Sequence, residues 1–181
     1  MTQKPKVQST KILYSGFFEI KQDLLQKPDG QTLAYTSLVL STDASAILAQ
    51  DEQGLWILNR EYRHPTGKYV LGCPGGRLDE GEDPIEGAKR ELLEETGYWA
   101  EKIELIGTSY PSPSFCNQKI YYFFAKNAVK KAEQGLDPFE WIQTELKTDR
   151  DLYEEIRTNT SVDSVLCAAL WYLDMHRKKH L

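Results

Sequence analysis

Residues 76–98 read GRLDEGEDPIEGAKRELLEETGY, and their spacing predicts a helix over the second half of the stretch. Asp83 is an N-cap residue, Pro84 suits the first helical position, and Glu86 completes a capping-box-like arrangement. Ile85, Ala88, Leu92 and Leu93 recur at helical spacing and mark a buried face. Gly97 closes the helix as its C′ residue. Glu91, Glu94 and Glu95 crowd into little more than one turn. Glu91 and Glu95 share a face, and such a like-charged pair weakens an isolated helix by roughly 0.2–0.5 kcal/mol. Three carboxylates with no lysine between them point to a hard divalent cation, because Mg²⁺ and its relatives prefer oxygen ligands. Arg90 lies four residues after Glu86 and four before Glu94, in reach of charge-assisted hydrogen bonds to carboxylates.

Outward from this helix, the chain reads as strands. Residues 11–22 predict one strand, bulged near Gly16, and Pro28-Asp29-Gly30 is a turn signal. Residues 32–40 are rich in β-formers. Residues 44–49 and 55–59 bracket Asp51-Glu52-Gln53-Gly54, a hairpin with a glycine in its loop. Residues 69–71 run into Cys73-Pro74-Gly75-Gly76, where the backbone must turn sharply. Beyond the helix, residues 101–107, 119–125 and 139–143 predict further strands, and 161–177 a second helix. That last helix ends in His176, Arg177, Lys178 and Lys179, where cations complement the helix dipole. Strands mixed with a few helices in irregular order predict a layered α+β fold with a mixed sheet.

Composition narrows the function. The chain has 181 residues and a net charge of -5, which argues against nucleic acid or an acidic membrane surface as the main partner. Cys73, Cys116 and Cys167 are odd in number and form no CxxC pair, which fits a reducing compartment. Residues 1–9 are polar, and no apolar run approaches the ~20 residues of a membrane span. The expectation is a cytoplasmic protein. No G-x-S-x-G elbow or P-loop is present, and the histidines lack metal-like spacing.

Gly76, Glu82, Arg90-Glu91-Leu92, Glu94-Glu95 and Gly97-Tyr98 together fit G-x5-E-x7-R-E-U-x-E-E-x-G-U, with U a bulky apolar residue. This pattern resembles the Nudix box. A chance match at a given start is on the order of 10⁻⁹ at ordinary residue frequencies, so a merely solvated acidic helix is a poor explanation. The resemblance implies a Nudix-type α/β/α sandwich and a metal-dependent hydrolase of nucleoside diphosphates linked to a second group. It implies Mg²⁺, with Mn²⁺ as the alternative, held by Glu91, Glu94, Glu95 and the Gly75 carbonyl. Glu82 would pair with Arg90 and support the site.

From about residue 12 to 173 the layout is similar to the ADP-ribose pyrophosphatase and nucleoside diphosphate sugar branch of that family. The branch implies an N-terminal antiparallel β subdomain, here residues 1–42, and a Nudix domain, here 43–181. It implies a homodimer with exchanged N-terminal strands. Tyr14, Phe17, Phe18 and Tyr35 would then pack the dimer core or stack on a base. Arg60 and Arg63, in Asn59-Arg60-Glu61-Tyr62-Arg63-His64-Pro65, would contact the diphosphate, a task suited to guanidinium. Pro113 and Phe115 belong to a proline loop that marks ADP-sugar enzymes. Two positions depart from the branch: Gly72 stands where relatives carry an acid, and Gln118 where many carry a catalytic glutamate. Glutamine is no base, so a box carboxylate such as Glu94 or a later acid such as Glu140 takes that role. ADP-ribose, GDP-mannose or a similar sugar nucleotide is the expected substrate. The alternatives are another diphosphate, such as a dinucleoside polyphosphate, and a nucleotide-sugar-binding module with weakened catalysis.

Overall fold

The computed structural model describes residues 4–178; Lys179, one of the basic residues expected at the end of the last helix, lies outside them. Strands β1 (Lys6–Ser15), β2 (Glu19–Gln26) and β3 (Thr32–Val39) form an antiparallel three-stranded sheet. The single bulged strand expected over 11–22 is thereby corrected. The chain reverses at Gly16-Phe17-Phe18, where Gly16 N donates to Phe18 O at 3.1 Å, and Tyr14 pairs with Ile20. The glycine that read as a bulge is a turn. The second turn falls where Pro28-Asp29-Gly30 placed it, with Gly30 N donating to Lys27 O at 3.0 Å.

The second sheet has eight strands and is centred on β4 (Ala44–Asp51), which is buried at all but one position. On one side β5 (Trp56–Arg63) runs antiparallel to β4, with β6 (Lys68–Gly72) against β5. Short β7 (Gly75–Arg77) also pairs with β4. On the other side β8 (Tyr98–Trp99) and β9 (Ile103–Ser109) lie antiparallel to β10 (Ile120–Lys130). Strand β10 itself runs parallel to β4, which makes the sheet mixed. β11 (Ile142–Lys147) closes the far edge against β5.

Period-2 alternation along β4 feeds two cores. Ile47 and Ala49 face helix α1 (Pro84–Thr96), whose Ala88 and Leu92 pack on them with Ile57 and Phe123. Ala46 and Leu48 face α2 (Asp149–Thr158) and α3 (Ser164–Lys178), through Leu152, Leu166 and Leu170. The result is helix, mixed sheet, helix: the α/β/α sandwich with an added antiparallel sheet. Among the described residues no helix is long and apolar enough to cross a membrane.

The ends of α1 follow the sequence closely. Asp83 Oδ1 accepts from Ile85 N at 2.9 Å, and Gly97, at φ 72°, donates its N–H to Leu93 O at 2.7 Å. The expected capping box does not form: Asp83 accepts from Ile85 N instead of Glu86 N, and Glu86 pairs with Lys89 at 2.7 Å instead of reaching back. Helix α2 carries little apolar signal: Leu152 is its one buried residue, and Thr148 caps it by accepting from Asp151 N. Helix α3 starts at Ser164, later than expected, because the residues before it bridge to β6. Leu71 N donates to Ser161 O at 2.9 Å, and Asp163 N to Leu71 O at 2.8 Å. β11 likewise starts at Ile142, after a turn in which Glu140 N donates to Asp137 O.

Candidate active site

Helix α1 lays one acidic face over the turn between β6 and β7. Gly75 adopts φ 153°, and a Cβ there would stand 2.3 Å from Ser45 O. A Cβ on Gly76 would stand 2.6 Å from a Glu91 carboxylate oxygen. The two glycines therefore let β7 approach both β4 and the helix: a larger residue at 75 would force β7 off the β4 backbone, and one at 76 would push the Glu91 carboxylate away. Glu95 Oε2 accepts from Gly75 N at 2.7 Å and from Asn59 Nδ2 at 2.9 Å. Glu91 is 8% and Glu95 4% exposed, depths at which an ionised carboxylate normally has a cation beside it.

Arg90 meets part of that need. Its Nε and Nη2 bind the two oxygens of Glu82 at 2.9 and 3.0 Å, a bidentate pair. Its Nη1 donates to Glu91 Oε1 and Glu94 Oε2, both at 3.0 Å, and Nη2 also to Arg77 O at 3.2 Å. The pairing of Glu82 with Arg90 is the one expected. One guanidinium facing three carboxylates leaves a surplus of negative charge. Burial pushes the Glu91 carboxyl up to about 7, against the pull of Arg90. Burial, then the charge of Glu91, pushes Glu95 well above the ordinary carboxylate range. By contrast, the hydrogen bonds from Arg90 hold Glu82 below it.

Arg90, Glu91 and Glu95 floor a cleft of about 620 Å³ that also receives Glu61 and Arg63 from β5, Glu140 from the turn before β11, and Gln118; Glu82 stands behind Arg90 and does not line it. That volume suits a small-molecule ligand. Arg63 Nη1 donates to Glu61 Oε1 at 2.6 Å, and burial raises the Glu61 carboxyl. Glu140 Oε2 accepts from Asp137 N at 2.9 Å. Phe17, at the tip of the β1–β2 turn, reaches the cleft rim, where Arg77 lies 4.2 Å over its ring and donates to its carbonyl at 2.9 Å.

The sequence-derived candidates are brought together unevenly. Gly75, Arg90, Glu91, Glu95, Glu140 and Arg63 line the cleft. Glu94 does not: it is exposed on the outer side of α1 and held by Arg90. Arg60 is a correction. It binds Glu145 and, at 2.6 Å, Glu155, because its place on β5 turns its side chain toward α2 and away from Asn59, Glu61 and Arg63. Pro113 and Phe115 are exposed in a loop pinned to β3, with Leu38 N donating to Phe115 O at 2.7 Å, and neither lines the cleft of a single chain. Sequence reasoning did not single out Asn59, Glu61 or Asp163. Asp163 caps α3 by accepting from Val165 N at 2.8 Å and lines the cleft. Its Cβ lies 3.7 Å from where a Cβ on Gly72 would be, so a carboxylate reaches this part of the cleft from another element.

Among the described residues no three acidic, histidine or cysteine side chains form a closed metal cage. The open set nevertheless suits a hard divalent cation that keeps several waters and shares substrate oxygens. Glu91 and Glu95 are buried and under-compensated, and the buried oxygens Ser45 Oγ and Asn59 Oδ1 beside them have no protein partner. All of these donors are oxygens, which fits the cation chemistry expected from residues 91–95.

Comparison with known proteins agrees with this architecture. A NUDIX domain model matches residues 40–157. The chain is 33% identical over 173 residues to the methanol dehydrogenase activator of Bacillus methanolicus, covering 94% of this chain and 92% of that protein. It is 30% identical over 165 residues to the ADP-ribose pyrophosphatase of Bacillus subtilis (strain 168), covering 90% and 89%. In fold it matches the crystal structure of an ADP compounds hydrolase with a TM-score of 0.87, over 99% of this chain and 97% of that one, at 22% identity. With its box intact on α1 and its carboxylates facing a cleft, the chain belongs to the NUDIX family and is a Nudix hydrolase.

Proposed function

We propose that this protein hydrolyses the diphosphate linkage of nucleoside diphosphate sugars, releasing a nucleoside monophosphate and a sugar phosphate. The observation that carries this reading is the cleft itself, with Glu91 and Glu95 on its floor and Arg63 and Glu140 facing them. Arg63 suits the diphosphate, whose charge would draw it from Glu61. Mg²⁺, with Mn²⁺ as a substitute, fits the oxygen donors of Glu91, Glu95 and the Gly75 carbonyl, and when bound supplies charge neutralisation and an acidified water. Water adds to one phosphorus as the bridging P–O bond breaks, and its proton passes to a carboxylate. Glu140 is favoured for that proton because it lines the cleft, whereas Glu94 is exposed and tied to Arg90. Gln118, also in the cleft, is suited to donating hydrogen bonds to substrate oxygens. The name of the Bacillus subtilis relative makes ADP-ribose the first substrate to try; GDP-mannose, another nucleoside diphosphate sugar, is the second.

The same reading takes residues 1–42 as a unit exchanged with a second copy of the chain. In one chain Val7, Ile12, Leu13, Tyr14 and Leu33 are each 45% or more exposed, an apolar surface that a partner would cover. Three free cysteines fit the cytoplasm. The test is incubation with Mg²⁺ and ADP-ribose, GDP-mannose, UDP-glucose and a dinucleoside polyphosphate, with the monophosphate product quantified. Release from a sugar nucleotide is the expected result. Release from the dinucleoside polyphosphate alone would replace the substrate class, and no release from any would refute the reading. Light scattering at micromolar protein should give twice the chain mass; a monomer would remove the exchanged-strand proposal.

A further inference from the structure

Asn59 sits on β5 in the row that faces α1, next in that row to Ile57, and is 3% exposed. An amide at that depth needs four hydrogen bonds to be satisfied. Asn59 uses its Nδ2 to donate to Glu95 Oε2 at 2.9 Å, and its Oδ1 has no partner. An unpaired buried carbonyl oxygen costs stability, and an apolar side chain of the same shape would avoid that cost. The amide is therefore poorly explained as a core residue. Its one hydrogen bond goes to the most buried carboxylate of the cleft. Gly75 N donates to the same oxygen at 2.7 Å. Two donors on Oε2 fix the rotation of the carboxylate, and among the described residues Oε1 carries no hydrogen bond.

We propose that Asn59 is a positioning residue, which holds Glu95 with Oε1 toward the cleft and offers its own Oδ1 to the hydration shell of a bound divalent cation. A group that orients a ligating carboxylate from behind typically changes metal affinity 10–100-fold when removed. Ser45 Oγ, 2% exposed and also unpartnered, lies on the same cleft wall and fits the same shell. This inference rests on the cation reading given above.

The test is Mn²⁺ binding to the whole, substrate-free protein, followed by electron paramagnetic resonance of the unbound ion, together with the melting temperature of the metal-free form. Asn59→Leu, close in shape, is expected to bind Mn²⁺ 10–100-fold more weakly while the metal-free protein melts at or above the wild-type temperature. A merely structural asparagine would give the reverse: a lower melting temperature and unchanged Mn²⁺ affinity, which would overturn the proposal. If Asn59→Leu does not fold, Asn59→Ser, too short to reach Glu95, takes its place with the same expected loss of affinity. Absence of Mn²⁺ binding by the wild type would refute the cation reading itself, and this inference with it. Normal binding by the wild type and equal binding by the variant refute this inference alone.

Discussion

Two arginine clusters in this molecule are built from the same parts and do opposite things. Around Arg60, on the α2 side of the sheet, Glu145 and Glu155 are shared with Lys147, which reaches each at 2.9 Å. Two cations face two carboxylates, and the cluster is neutral. Hydrogen bonding from Arg60 holds Glu145 below the ordinary carboxylate range, and Glu155 is also lowered, by Lys147 and Arg60 against its burial. Around Arg90, on the α1 side, one cation faces Glu82, Glu91 and Glu94, with Glu95 behind, and Glu91 and Glu95 are pushed up. The number of carboxylates each arginine meets, two against three, does not by itself assign their roles. The sign of the leftover charge does: a closed, neutral network holds the fold, and an open, negative one is suited to a cation from solution.

Substitutions that close the open cluster should have the largest effect. Glu95→Gln should lower turnover of the preferred substrate roughly 10²–10³-fold, the several kcal/mol expected of cation coordination. The metal-free protein should melt no lower than wild type, since a buried charge has been removed; unchanged turnover would show that Glu95 has no part in the chemistry. Next is Arg63→Ala, which should reduce kcat/KM roughly 10–100-fold by removing a charged hydrogen-bond donor from the cleft. Arg60→Met sharpens the contrast. It should cost about 1–3 kcal/mol in urea denaturation, because Glu145 and Glu155 are left with Lys147 alone, and leave kcat/KM within twofold. A large loss of activity without a loss of stability would return Arg60 to the cleft.

The smallest effect is that of pH, and it should differ in sign between the clusters. Glu91 binds its proton more tightly in the folded state, near 7 against an ordinary 4.5, so metal-free stability should fall as pH rises through that window. Glu91→Gln should flatten the slope in urea midpoints measured at half-unit steps. Glu145 and Glu155 are shifted down, so their contribution is present above the ordinary value near 4.5 and is lost as pH falls through their folded values. Arg60→Met should weaken only this acid-side loss, since Lys147 still pairs with both carboxylates.

The difference between the clusters also marks how far the sequence could be read. Every fixed position of the box was legible because α1 obeys local rules: Asp83 caps it, Gly97 ends it, and Ala88 and Leu92 face inward. The strands around β4 were legible for the same reason. Arg60 and Arg63 were not separable. Strand alternation puts them on opposite faces, but which face meets the cleft depends on where α1 docks, and that is a tertiary fact. Glu61 is placed by its pairing with Ile142 and Asp163 by the bridge from Leu71 to Val162, contacts between segments distant in sequence. Helix α2 escaped because its apolar stripe is only Leu152 and Ile156 in an otherwise charged segment, and the helix is held by its Thr148 cap and by the Arg60 and Lys147 pairs.

The attachment of β3 to the proline loop has a mechanical side. Leu38 N bonds Phe115 O, Tyr35 bonds the Ser114 carbonyl, and Asn117 exchanges two hydrogen bonds with the backbone of Leu40, at 2.8 and 2.9 Å. The next residue, Gln118, is in the cleft. The outer sheet is thus fastened to the inner one a single residue away from a cleft-lining side chain. Because Leu38 N and Leu40 N are both bonded to this loop, their amides should exchange slowly in the folded protein, and fast exchange there would show that the fastening opens.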